Sequence, residues 1–242
     1  MTGATSCTTY AFMPNQLAYC GPENRDLLEY GATKTVDAGL TNILSDFQNL
    51  WPYLRFIAFN NNIKDPFDNR VVEAYWVGNE LLNNISIKGF HKHLIDTLKL
   101  KEKIDPASLE YLIGKIPQGA KPHHTFHVMN VFAKTNHWAL GNVLETINNC
   151  RVSWGKITNV EKDFITVTTQ PIVMQDKKMK LGQPIIKKVQ RSVEDKTFIG
   201  QAELGDWLSF HWNFACEIIT LRQALNLKLY TEEAITLANL TI

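Results

Sequence analysis

The histidines of "PHHTFHVMNV" come first, because His123, His124 and His127 fall within five residues and imidazole is the commonest protein ligand for transition metals. On a helix His123 and His127 are one turn apart, and His124 and His127 share a neighbouring face, so two rings could converge on one ion. On a strand, alternation would send His123 and His127 to one side and His124 to the other. Pro122 can open a helix, whereas Phe126, Val128 and Val131 suit a strand, and the pattern admits both. No acidic residue lies inside the triplet, so the H-E-x-x-H metalloprotease arrangement is absent. A second pair is spread over the chain: Cys150 in "NCRVSWGKITNV", at the mouth of an apparent strand, and His211 in "LGDWLSFHWNFACEI", in the middle of another. A thiolate and an imidazole suit the same transition metals if the fold brings them together. The plain alternative is a packed strand-edge thiol, a core histidine, and triplet histidines that satisfy buried hydrogen bonds or face water.

Weaker candidates are His137 and the pair His91 and His93, which fall on the polar side of an amphipathic segment and are expected to be exposed. Cys20, beside Gly21 and Pro22, could present a thiol from a turn or simply pack. Asp68, Arg70 and Glu73 could orient a histidine, but a surface ion pair is the commoner outcome of such spacing.

Helices and strands must position these groups. From Val36 to Ala58 the apolar residues recur at three- and four-residue steps, which predicts a helix kinked or divided by Pro52. Asp65-Pro66 is a candidate start for the next helix. Ile87 to Leu98 and Ser108 to Ile113 read as further helices, so the chain is mainly helical to about residue 148. After Cys150 the period changes. "RVSWGKITNV", "FITVTTQPIV", "PIIKKVQRSV" and "WLSFHWNF" are short β-branched and aromatic runs bounded by turn residues, which predicts a small antiparallel barrel. "TEEAITLANL" reads as a closing helix with Thr231 as its cap. The expected class is α+β, with a helical domain over 1–148 and a barrel domain with a C-terminal helix over 149–242.

Composition narrows the functions. With 45% hydrophobic and 20% charged residues among 242, the chain is that of a folded protein. A net charge of +1 gives no basic field for nucleic acid or an anionic membrane. The basic run from Lys177 to Lys188 reads as a solvated hairpin. No apolar run approaches the roughly 20 residues of a membrane span, and the first residues have no secretory pattern. A cytoplasmic location is expected, with the four cysteines as free thiols. Neither a Gly-rich phosphate loop nor a G-x-S-x-G elbow is present.

The order Cys150, "RVSWGKI", "FITVTT", then "GDWLSFH" and "NFACEIITL", resembles the small hydrogenase-maturation chaperones of the HypC/HupF type. The resemblance covers about residues 149–240, with an insertion between Gln170 and Leu204. It implies an OB-like barrel in which Cys150 and His211 hold iron as Fe(CN)2(CO) on its way to a nickel–iron hydrogenase. The family's cysteine follows the initiator Met, whereas Cys150 is internal, and its Pro-Gly is replaced by Trp154-Gly155. The whole chain also looks like an uncharacterised bacterial family whose genes lie near nickel–iron hydrogenase operons. Three functions are therefore expected to compete. The first is a maturation protein that binds or delivers the iron unit and docks a maturation partner or the large-subunit precursor. The second is a metalloenzyme using His123, His124 and His127 with iron, zinc or nickel. The third is an interaction protein without catalysis. Cys150 converging with His211 favours the carrier; the triplet converging favours the enzyme.

Overall fold

The computed structural model describes residues 2–132 and 143–241; His137 lies outside them. The chain is α+β. Helix α1 (Gly3–Gln16) is capped by the Thr2 side chain and is buried on nearly every side, so it carries no polar stripe. Around it pack α2 (Leu27–Thr33), α3 (Ala38–Ser45), α4 (Leu50–Asn60) and α5 (Asn69–Trp76). The break between α3 and α4 falls before Pro52 rather than at it. Pro52 sits in the first turn of α4, where its missing N–H costs no hydrogen bond. The cap of α5 is likewise Asp68 and not Asp65; its carboxylate accepts from the Arg70 N–H at 2.9 Å, while Asp65 and Pro66 belong to the preceding turn. Helices α6 (Ile87–Lys92), α7 (Pro106–Gly114), α8 (His124–Phe126) and α9 (Val143–Cys150) follow.

Beyond α9 lie β1 (Ser153–Val160), β2 (Phe164–Thr169), β3 (Ile172–Gln175), β4 (Lys178–Leu181), β5 (Ile185–Gln190), β6 (Ser192–Val193), β7 (Lys196–Thr197), β8 (Trp207–His211) and β9 (Phe214–Ile219). Five of them close in the order β1-β2-β5-β9-β8, and β8 returns to β1. The barrel is not wholly antiparallel: β5 meets β9 in parallel at Gln190 and Phe214. An odd ring of strands cannot alternate direction all the way round, so one parallel contact is unavoidable. The run "WLSFHWNF" proves to be two strands with a turn inside it, at Trp212 and Asn213. The basic run also divides, Lys178 and Lys180 falling in the β3–β4 hairpin and Lys187 and Lys188 in barrel strand β5.

Helix α10 (Leu221–Ala238) closes the chain through a capping box between Thr220 and Gln223. Thr231 is therefore not a cap; it is buried mid-helix. The barrel has its own interior of Ile157, Ile165, Val167, Val189, Leu208 and Phe210. The main core runs from α1 to α10 and takes in Trp154, Phe198, Phe214 and Cys216 from the C-terminal half. Phe12, Phe198 and Phe214 meet edge to face, with centroids 4.7–5.2 Å apart, and tie α1 to the barrel. No helix among the described residues is long and apolar enough to cross a membrane.

Candidate metal centre

Three elements end at one point. Cys150 is the last residue of α9 rather than the first of a strand. His211 ends β8, where the chain reverses through Trp212 and Asn213, both with positive φ (49° and 59°) as a tight hairpin turn requires. The Trp212 N–H donates to Asn149 O at 2.8 Å and fastens that turn to the end of α9. His124 opens α8, whose first turn is capped by the His123 ring accepting from the Thr125 N–H. The ligand atoms of His124, Cys150 and His211 lie within 4.8 Å of one another, and this group could hold a metal ion.

Main-chain carbonyls orient the rings. His211 Nδ1 is 2.7 Å from Tyr10 O, and its Nε2 is 2.7 Å from Cys150 O. His124 Nε2 is also 2.7 Å from Cys150 O, while its Nδ1 is 3.2 Å from the Tyr75 hydroxyl. Burial pushes His211 down to about 4, against the pull of the Tyr10 and Cys150 carbonyls. Burial, reinforced by His211, takes His124 well below the usual histidine range. Both rings are therefore neutral near pH 7. Burial also raises the Cys150 thiol to about 12, with Cys20 adding to the rise and the Trp212 indole opposing it.

A neutral imidazole has one N–H. His124 can place it on Nε2, toward Cys150 O, and accept from Tyr75, or carry it on Nδ1 and donate to the Tyr75 hydroxyl, which frees Nε2 to ligate. His211 cannot resolve its surroundings in this way. It faces two carbonyl oxygens with one proton, so one ring nitrogen aims a lone pair at an oxygen 2.7 Å away. With the proton on Nδ1, toward Tyr10 O, the lone pair of Nε2 points into the cluster. A cation there converts that repulsion into ligation, and a ligating histidine commonly donates its other N–H to a main-chain carbonyl.

The site opens on a cavity of about 60 Å³ lined by Tyr19, Cys20, Trp76, His127 and Trp212 among others, room for a diatomic molecule or a water or two. Its walls are aromatic: the Trp76 ring lies 4.4 Å from that of His124, and Tyr19 stacks on Trp212 at 4.1 Å.

The histidine triplet does not act as a unit. His124 joins Cys150 and His211. His127 lines the same cavity, with Nδ1 3.2 Å from the Tyr53 hydroxyl, but stands outside the ligand group. His123 turns away to stack on Tyr230 at 4.8 Å. His91 is exposed as expected, but His93 is not: it is 2% exposed and stacks on Phe56 at 4.4 Å, because it lies three residues after buried Phe90 and so on the same, inward face of the helix. Arg70 and Asp68 form a surface ion pair at 2.8 Å. Cys20 faces the cavity, and all four cysteines are free thiols. Sequence reasoning missed Tyr10 and Tyr75. The aromatic runs "TTYAF" and "EAYW" that hold them were the available signal, although Tyr10 acts on His211 through its carbonyl, which no side-chain type announces.

A family model described as a family of unknown function (DUF6390) matches residues 1–242. No curated protein and no solved structure matches the chain.

Proposed function

The chain belongs to this family of unknown function, and we propose that it is a metal-binding accessory protein that grips one transition-metal ion through Cys150 Sγ and the Nε2 atoms of His124 and His211. The observation that carries this reading is the single proton of His211 set between two carbonyl oxygens, at the place where the three ligand atoms come within 4.8 Å. One thiolate and two imidazoles suit iron, copper and zinc and leave coordination positions open. In this reading Tyr10 O and the Tyr75 hydroxyl hold the two rings in place, the Cys150 thiol gives up its proton on binding, and the aromatic walls exclude bulk water.

The occupant we favour is iron carrying cyanide and carbon monoxide, Fe(CN)2(CO), held for a nickel–iron hydrogenase and exchanged with a maturation protein or the large-subunit precursor. Support comes from the order of the C-terminal motifs and from the five-stranded closed barrel, the strand number of an OB-fold. Four free thiols fit a reducing cytoplasm.

The test is anaerobic purification, metal analysis and infrared spectroscopy in the cyanide and carbonyl stretching region, on wild type and on His124→Ala, Cys150→Ala and His211→Ala. Stoichiometric iron with diatomic bands, lost in each variant, is the expected result. Metal without such bands, lost in the same variants, removes the hydrogenase assignment and leaves the metal site. Failure to bind any transition metal after anaerobic reconstitution overturns the reading altogether.

A further inference from the structure

A second cavity, of about 430 Å³, opens on the other side of the α9–β1 junction and is lined by Asn149, Arg151, Gln170 and Lys187 among others. Its size falls within the roughly 300–1,000 Å³ usual for small-molecule sites. Arg151 is among the largest fully buried side chains of the protein. Its Nη2 donates to Gln170 O at 2.6 Å, yet among the described residues Nε and Nη1 have no hydrogen-bond partner, and the Trp154 ring lies 5.3 Å from the guanidinium. A second cation, half-buried Lys187, lines the same cavity with its Nζ 5.5 Å from the Phe210 ring. None of the ion pairs among the described residues includes either of them. Glu145 on the cavity wall acts on Lys187.

A buried guanidinium without a counter-charge is costly, and a second cation on the same cavity makes it more so. An oxyanion removes both costs at once, and Arg is the side chain best suited to such a ligand. We propose that this cavity is an anion-binding site, taking a small molecule with a phosphate or carboxylate head between Arg151 and Lys187. The inference stands apart from the metal centre, although Arg151 follows Cys150 directly in the chain.

The experiment is calorimetric titration of the metal-stripped full chain with inorganic phosphate, and separately with acetate, at fixed ionic strength. Thermal unfolding with and without each anion accompanies it. Saturable one-site binding is expected for at least one anion, and the tighter of the two identifies the head group. Lys187→Met should weaken it tenfold or more, and Arg151→Met should abolish it. Without anion, Arg151→Met should unfold at or above the wild-type temperature, since replacing an uncompensated buried cation by an apolar side chain relieves its cost; with anion the order should reverse. No saturable heat from either anion overturns the proposal, as does Lys187→Met binding like wild type, or an anion raising the midpoint of Arg151→Met as much as that of wild type. Should Arg151→Met fail to fold, Lys187→Met decides the matter by the same titration.

Discussion

The metal reading makes a quantitative demand on protons. Binding through Cys150 displaces the thiol proton, and because burial holds that thiol near 12, it is still protonated throughout the accessible range. Each unit of pH then adds a factor of ten to the apparent affinity, about 1.4 kcal/mol, or a hundredfold from pH 6 to 8. The histidines contribute nothing to the slope in that interval. His211 titrates near 4 and His124 well below its usual range, so both are neutral and ready to ligate before the metal arrives. The plot of log affinity against pH should therefore be straight with unit slope from about pH 5.5 to 9. Ordinary histidines titrating near 6.5 would instead bend it toward a slope of three below that value. Cobalt(II) competition against a chromophoric chelator measures the slope, and calorimetry in two buffers of different ionisation enthalpy counts the protons released. One proton per ion is expected for wild type. A wild-type count of zero would remove Cys150 from the ligand set, and a slope steepening below pH 6.5 would show that the rings are not desolvated as the fold implies.

The same burial governs acid stability. In the unfolded chain His93, His123, His124 and His211 take a proton near 6.5, whereas in the fold they resist it down to about 3 for the first two and about 4 for His211. Stability is then fully present above 6.5 and is lost below it, at about 1.4 kcal/mol per unit for each ring. The metal-free protein should accordingly unfold cooperatively between about pH 5.5 and 4.5, given a typical total stability of about 5–15 kcal/mol; a circular dichroism signal unchanged at pH 3.5 would refute this. Tyr75→Phe leaves His124 Nδ1 without its partner and should lower metal affinity about 10–100-fold. Tyr10→Phe should leave affinity unchanged, because His211 uses the carbonyl of residue 10. It should still cost about 1–3 kcal/mol in urea unfolding through loss of the hydroxyl's bonds to Ser209 and Glu217, and equal effects of the two tyrosines on metal binding would contradict the assignment. Phe214→Ala empties the three-ring contact between α1 and the barrel and should destabilise by about 3–5 kcal/mol; a loss under about 1 kcal/mol would mean that this contact does not join the two parts.

Patterns of residue type expose some of this molecule and hide the rest for definite reasons. The strands of the barrel are readable because β-branched runs alternate with turn residues, and Cys150 and His211 are readable as a pair because each stands beside such a run. Helix α1 is not, since burial on all sides removes the polar face that would give it a period. The triplet's geometry is hidden for another reason. His123 is an extended cap residue with ψ of 145°, the helix begins only at His124, and from His127 to Val131 the backbone winds as a π turn. Neither the four-residue helical rule nor strand alternation applies across such a sequence of conformations, so one histidine enters the metal centre, one lines its cavity and one packs under α10.

The orienting partners are the deeper omission, because three of the atoms that shape the site are main-chain oxygens. Asn149 O takes the Trp212 N–H and sets β8 against α9; Cys150 O faces both Nε2 atoms; Tyr10 O directs Nδ1 of His211. Any residue can supply a carbonyl, so identity at positions 10 and 149 says nothing of that role. What these carbonyls require is that α1, α9 and the β8–β9 turn hold fixed distances, and the main core that runs through both halves of the chain supplies that rigidity. Substitutions that loosen this core should therefore reach the metal centre through displacement of carbonyl oxygens, with all three ligands still in place.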